Sequence, residues 1–190
     1  MYEKVRNDMK FGDIISFSGK GDISNIIKWK TQSDISHVGM VYGTEINGEP
    51  RIELIESTSL VVEPDIRSKE LHKGVQRQML SQRLESYEGQ AYYHRLNTFL
   101  TPAQEASMRS WLFCKWKSKT PYDTAQAIGS SIDLFDKMGF ENAPDYSSLF
   151  CSEMVAKAYE IAGLFEGNPS EQTPADVIKY PFLGDRVQIK

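Results

Sequence analysis

The sequence has few cysteines, no long apolar run and no excess of basic charge. Its 190 residues include two cysteines, Cys114 and Cys151, too few for a secreted scaffold built on disulfides. No stretch approaches the roughly 18 apolar residues that a membrane-spanning helix needs, and residues 1–10 are too polar for a signal peptide. We therefore expect a cytoplasmic protein with no transmembrane segment, in which both thiols stay reduced.

Composition and charge narrow the class of protein further. The chain has 22 Lys and Arg against 26 Asp and Glu, a formal net charge of −4, so binding to nucleic acid through phosphate neutralisation is not expected. Hydrophobic residues are 40% and charged residues 25%, as in ordinary globular proteins. The sequence contains no internal repeat, low-complexity tract or linker, which predicts a single domain over residues 1–190.

The first part of the chain is rich in strand patterns and the second part in helix patterns. Predicted strands cover 14–17, 37–42, 51–57, 60–62 and 75–80, and predicted helices cover 23–30, 101–119, 125–138 and 148–162. Thr101, Pro102 and Gln104 form a strong helix start, with a capping residue, a proline at the first position and a capping box. Strands first and helices later predict an α+β fold rather than an alternating one.

Cys151 falls in the first turn of a predicted helix, for which Ser147 and Ser148 are candidate capping residues. Free backbone N–H groups and the helix dipole stabilise a thiolate at such a position. Positions 151, 154, 155, 158 and 162 form an apolar stripe, so the thiol lies at the end of the face expected to pack on the domain. The residue is therefore either a nucleophile or a small buried core residue.

His37 and Glu56 are the candidate partners of this cysteine. His37 begins a predicted strand, and Gly39 on the same face leaves room for another element, which we expect to be the cysteine helix. Glu56 is an acid in an otherwise apolar strand, so it either pairs with the imidazole or points to solvent at the strand end. A carboxylate on the far ring nitrogen would orient the histidine as a base.

The remaining candidates have simpler interpretations. His72 and His94 lie in polar segments and are expected at the surface, whereas Cys114, among aromatic residues, is expected in the core or an interface. Cys, His and Glu could in principle bind zinc, but no paired metal-ligand spacing supports this. We predict no metal and no other cofactor.

Several segments resemble a known family when they are taken in order. They are Phe11-Gly12-Asp13-Ile14-Ile15-Ser16-Phe17, Ser36-His37-Val38-Gly39-Met40-Val41, Ile55-Glu56-Ser57, Phe150-Cys151-Ser152-Glu153-Met154-Val155 and Thr173-Pro174-Ala175-Asp176. The set is similar to the circularly permuted NlpC-type papain-like cysteine hydrolases, and most similar to their YiiX-like branch. Ordinary papain-like enzymes place the cysteine before the histidine, whereas the permuted family, like this chain, has histidine, acid and then cysteine.

The resemblance implies roles for four residues. Cys151 would be the nucleophile, His37 the base and Glu56 the group that orients the base. Tyr122, in a segment similar to one upstream of the family's cysteine, would stand near the oxyanion; alternatively it is a buried aromatic residue. The segment 125–147 has no residue-by-residue match to the family, and its acids, Asp133, Asp136, Glu141 and Asp145, are candidates for a substrate groove or lid.

These observations predict a cysteine peptidase or amidase that cleaves an amide or ester bond through a thioacyl intermediate. The substrate would be a small peptide, an amino-acid amide or an acyl-lipid. A thiol acyltransferase acting on lipids shares the same catalytic groups and is the first alternative. The second is a binding module that keeps the pocket without catalysis.

Overall fold

The computed structural model describes residues 1–45, 48–49, 51–61, 63–123 and 150–190. The strands of this part are β1 Ile14–Gly19, β2 His37–Gly43, β3 Glu53–Thr58, β4 Gly74–Met79, β5 Gly89–His94 and β6 Val187–Gln188. The helices are α1 Tyr2–Val5, α2 Asp22–Thr31, α3 Leu80–Ser86, α4 Pro102–Lys117, α5 Cys151–Ile161 and α6 Pro174–Val177, with 3-10 turns at Arg6–Asp8 and Pro169–Glu171.

The strands form one antiparallel sheet in the order β4-β3-β2-β1-β5-β6. Strand β1 lies in the middle, with Phe17 opposite His37 on β2 and opposite Ala91 on β5. Since alternate residues of a strand point to opposite faces, the sheet buries apolar side chains on both sides. The predicted α+β class, with an antiparallel sheet packed against helices, is confirmed.

Two apolar clusters cover the two faces of the sheet. One contains Val38 and Met40 of β2 together with Met154 and Val155 of α5, and it includes the sulfur-bearing Cys151. The other contains Val41 and Leu54 with Leu80 and Leu84 of α3. Helix α5 therefore lies on the face of β2 opposite to the one that Gly39 and Val41 share.

Local sequence explains where the long helices begin. The capping box predicted at the start of α4 is present, because the Thr101 hydroxyl accepts from Gln104 N and the Gln104 side chain accepts from Thr101 N. Helix α5 begins after Phe150, whose N–H donates to Glu153 Oε2 at 3.3 Å. The predicted serine cap was wrong, since Phe150 holds the capping position; Ser147 and Ser148 lie outside the described residues. The apolar stripe from Cys151 to Ala162 is buried as predicted.

Most of the other predicted helices and strands were confirmed, one predicted strand was wrong, and two elements were missed. The helices predicted at 23–30 and 101–119 and the strands at 14–17, 37–42, 51–57 and 75–80 are present within a few residues. Leu60 and Val61 are exposed and lie outside any strand, so the strand predicted at 60–62 was wrong for these two residues. Val62 and the predicted helix 125–138 lie outside the described residues. Strand β5 and helix α3 were missed.

Two histidines and one cysteine are placed differently from the sequence prediction. His94 is buried, because β5 lies between β1 and β6, and its Nε2 is 2.8 Å from the Ser16 hydroxyl. His72 is half-buried, and its Nε2 forms a hydrogen bond with the Val75 carbonyl oxygen. Cys114 is exposed and so does not lie in the core, because the buried residues of α4, Met108 and Leu112, lie on the other side of the helix; a place in an interface stays a prediction.

Among the described residues, no helix combines the length and the apolar character that crossing a bilayer would require.

Candidate active site

Glu56 is a fully buried acid with two basic partners. Its Oε2 lies 2.5 Å from His37 Nε2, and Arg83 Nε donates to its Oε1 at 2.7 Å. Burial by itself would raise the pKa of Glu56, but the charge of Arg83 and then the hydrogen bond from His37 outweigh it and lower the pKa to about 2. The carboxylate is therefore ionised at any physiological pH, and the alternative that it points to solvent was wrong.

Gly39 explains how a carboxylate fits beside the histidine on this face of the sheet. A Cβ atom added at Gly39 would lie 3.1 Å from Glu56 Cβ and 3.0 Å from Leu54 Cδ1. The space that we expected the cysteine helix to use is taken instead by these two side chains of β3. The helix reaches His37 from the other face, so that prediction about Gly39 was wrong.

Arg83 completes the buried cluster and was missed by the sequence interpretation. Its side chain is 4% exposed, and its guanidinium packs against the rings of Phe17 and Tyr87, at 5.0 and 4.9 Å from their centroids. The available signal was its position in α3, where Leu80, Arg83 and Leu84 share one face. An arginine in an apolar helical stripe indicates a buried acid nearby.

Cys151 is the first residue of α5, where backbone N–H groups have no partner within the helix. Its side chain lies beside the His37 imidazole, close enough to raise the pKa of the ring. Because Glu56 occupies Nε2, Nδ1 is the ring nitrogen left to face the sulfur. The structure thus brings together three of the residues singled out in the sequence, His37, Glu56 and Cys151, from positions far apart in the chain.

The charge state of His37 follows from its surroundings. Burial lowers the pKa of His37, but the charge and hydrogen bond of Cys151, followed by those of Glu56, raise it to about 9. The ring is therefore an imidazolium at neutral pH.

Tyr122, the fourth predicted residue, lies beside the same cluster. Its ring packs edge-on against Phe150 with centroids 5.9 Å apart. Burial, followed by the negative charge of Cys151, raises the pKa of Tyr122 above its usual value, so the phenol keeps its proton. The hydroxyl is therefore available as a hydrogen-bond donor near the sulfur.

A cleft of about 630 Å³ opens next to His37 and Tyr122, which both line it. Of its 15 described lining residues, seven carry hydroxyl groups and two, Ile27 and Leu60, are aliphatic. The His37 side chain is 14% exposed, whereas Cys151 is 0% exposed. The base thus meets the cleft directly, and the sulfur is covered.

Comparison with known proteins supports the fold. The chain is similar to the crystal structure of metalloprotein YiiX from Escherichia coli O157:H7, a DUF1105 protein, with a TM-score of 0.59 and 22% sequence identity over 94% of this chain and 96% of that one. No protein-family model matches the sequence, and no curated protein matches it. The likeness to YiiX therefore extends over nearly the whole of both chains and concerns the fold.

Proposed function

We propose that this protein is a cysteine hydrolase of the peptidase or amidase type, with a permuted papain-like arrangement of its catalytic groups. The observation that carries the proposal is the contact chain from Cys151 through His37 to Glu56. A thiol, an imidazole and a carboxylate in that order are the parts of a nucleophile, a base and an orienting acid. The chain order of histidine, acid and cysteine fits the permuted family that the sequence resembles.

The reaction follows from the charges of these groups. The Cys151 thiolate attacks the substrate carbonyl, and a C–S bond forms as the carbonyl oxygen becomes an oxyanion. The His37 imidazolium gives its proton to the leaving amine or alcohol as the scissile bond breaks, leaving a thioester on Cys151. Neutral His37 then takes a proton from water, which attacks the thioester, so that the C–S bond breaks, the carboxylic acid leaves and the Cys151 thiolate and His37 imidazolium are restored.

The oxyanion needs donors at the position where its charge develops. The Cys151 backbone N–H, at the start of α5, is one candidate because it lacks a partner within the helix. The Tyr122 hydroxyl, which keeps its proton, is the other. Glu56, held by Arg83, orients the ring and stays ionised throughout the cycle.

The lining of the cleft combines hydroxyl groups with apolar surface. Seven of its described residues carry hydroxyl groups, and Ile27, Leu60 and the rings of Tyr87 and Tyr122 supply apolar contacts. Such a lining suits a small peptide, an amino-acid amide or an acyl chain, so the lipid acyltransferase stays an alternative. Because Cys151 is covered, a substrate reaches the sulfur only if the side chains that cover it shift. Tyr122, which lines the cleft and is half-buried, is one side chain that could move.

The structural neighbour is described as a metalloprotein, which raises the question of a metal here. In the described ranges, no group of three or more His, Cys, Asp and Glu side chains is placed to hold a metal ion. Both Glu56 oxygens face basic groups, and this leaves the Cys151 sulfur and one His37 nitrogen as donors. A zinc site uses three or four protein ligands, so these residues do not fit one, and the proposed mechanism uses no metal.

The burial of Cys151 favours one other candidate, a binding module without catalysis. The two functions differ in the reactivity of the thiol, which alkylation by iodoacetamide measures. Because Cys114 is exposed and would react on its own, the experiment uses a Cys114→Ser background. The hydrolase proposal expects native Cys151 to be alkylated at pH 7, and His37→Gln to slow the reaction by about tenfold or more, since an unassisted thiol is only a few per cent ionised there. Alkylation of Cys151 only after unfolding would favour the binding module.

A further inference from the structure

A second cleft, of about 780 Å³, lies at the opposite end of the sheet from His37. It is lined by Asp13 before β1, Thr44 after β2 and Arg95 after β5, whereas His37 stands at the start of β2. The first and last residues of the six-residue strand β1 are about 17 Å apart at a rise of about 3.3 Å per residue. The described linings of the two clefts share no residue, so this is a separate cavity.

Basic side chains outnumber acidic ones in this second cleft, although the whole chain is acidic. The lining has four basic residues and two acidic ones; they are Arg6, Lys10, Arg95 and Arg109, and Asp13 and Glu105. Glu105 is already bound to Arg109 Nε at 2.7 Å. The two Asp13 oxygens accept from Leu96 N, Lys10 N and the Tyr93 hydroxyl. Neither acid therefore makes a direct ion pair with Lys10 or Arg95, although the charges of Asp13 and Arg95 attract each other.

Two of these cations are available to a ligand. Within the part of the chain that the structure describes, neither Lys10 Nζ nor the Arg95 guanidinium makes a hydrogen bond or an ion pair. Arg6 adds a third positive charge, although it also meets Glu3 at the surface. Positive groups converging on one concave site are the usual means of binding an anion with several oxygens.

The rest of the lining is apolar and aromatic. Phe11, Leu96 and Leu100 form part of the wall, and Phe99 at the rim is 86% exposed, although large apolar side chains are usually covered. Arg109 lies over the Phe11 ring at 3.8 Å, which places positive charge directly beside this apolar surface. A ligand that fills the cleft needs both a charged end and an apolar body.

We propose that this second cleft binds a small organic phosphate, in which a phosphate dianion is joined to an aromatic or other apolar group. Lys10 and Arg95 bind the phosphate, and Phe99 covers the apolar part. A dianion matches two free cations better than a single carboxylate does. The site is independent of the hydrolase chemistry, since it shares no residue with the cluster around Cys151.

Titration calorimetry with three probes of similar size tests this site in the full chain. Phenyl phosphate carries the dianion and the ring, benzoate carries one negative charge on the same ring, and benzyl alcohol is uncharged. We expect saturable binding of phenyl phosphate, weaker binding of benzoate and none of benzyl alcohol. Lys10→Gln and Arg95→Gln should each weaken phenyl phosphate binding by about tenfold, as expected for a charge-assisted hydrogen bond.

The matched control is Lys117→Gln, which removes an exposed cation from the far end of α4 and should leave the affinity unchanged. Amide chemical shifts on adding phenyl phosphate should change at Asn97 and Thr98, which line the cleft. The proposal is overturned if phenyl phosphate does not bind in the millimolar range or binds no better than benzoate. It is equally overturned if all three variants behave alike, or if the shifts map to His37 and Ser59.

Discussion

At the scale of single residues, the charges around His37 determine what the site can do. The ring lies between the Cys151 sulfur and the Glu56 carboxylate, and its pKa rises to about 9 because of them. A folded-state pKa above the unfolded value of about 6.5 stabilises the folded protein. That stabilisation is complete below about pH 6.5 and is lost as the pH rises through about 9.

This gives a prediction for Cys151→Ala. Removing the sulfur removes the leading cause of the raised pKa of His37, which should fall toward its ordinary range. The loss of stability above about pH 6.5 should therefore be smaller and should end at a lower pH. Titration of the His37 ring by NMR measures the first effect, and melting temperatures between pH 6 and 10 measure the second. Cys114→Ala, at an exposed site, is the control and should leave both unchanged. An unaltered His37 titration in Cys151→Ala would contradict the assigned contact.

A second prediction about a single residue concerns Arg83. Arg83→Met leaves the fully buried Glu56 carboxylate without its guanidinium, and breaking a buried pair from one side costs about 3–5 kcal/mol in the free energy of unfolding. The pKa of Glu56 should also rise, so alkylation of Cys151 should slow at acidic pH. Chemical denaturation and the alkylation rate measure these effects. Lys119→Met, which removes an exposed partner of Glu70, should change neither; an equal effect of the two variants would count against a special role for Arg83.

At the scale of elements, β2 and β3 position the base and its acid, and α5 delivers the thiol from the other face. Gly39 is the contact point of the two strands. A methyl group there would press on Glu56 Cβ and on the Ile55 carbonyl, both at 3.1 Å. Gly39→Ala should therefore destabilise the protein by about 1–3 kcal/mol and slow alkylation of Cys151.

Gly21→Ala is the matched control for stability. Gly21 has φ of −74°, and a Cβ there meets no atom within 4 Å, so alanine fits without strain. Denaturation curves of the two variants provide the comparison. A Gly39→Ala protein as stable and as reactive as the native chain would show that the close approach of Glu56 is not needed.

The elements also show what could be predicted from sequence. The capping box of α4 and the apolar stripe of α5 are local signals, and both were confirmed. Strand β5 was missed because the sequence around His94 is polar, and its burial depends on Ser16 and on neighbouring strands far away in the chain. The role of Arg83 was missed for the same reason, since its partner is 27 residues earlier. Residue types at the site could be predicted, but the face from which the helix approaches could not.

At the scale of the whole molecule, the sheet separates two clefts. The end near His37 carries the candidate catalytic cluster, and the other end carries four basic side chains beside apolar walls. The likeness to YiiX covers nearly all of both chains, so the arrangement of sheet and helices is shared as a whole. The proposed chemistry depends on whether the covered Cys151 sulfur acts on a carbonyl group.

Intact-mass spectrometry of the Cys114→Ser protein, after brief incubation with a mixed library of amides and activated esters, tests this most directly. We expect one covalent acyl group, mapped by peptide analysis to Cys151, that disappears with time as water releases it. The adduct should be absent in Cys151→Ala and strongly reduced in His37→Gln. No adduct on Cys151 from any activated ester, or an adduct that forms equally fast in His37→Gln, would contradict the account.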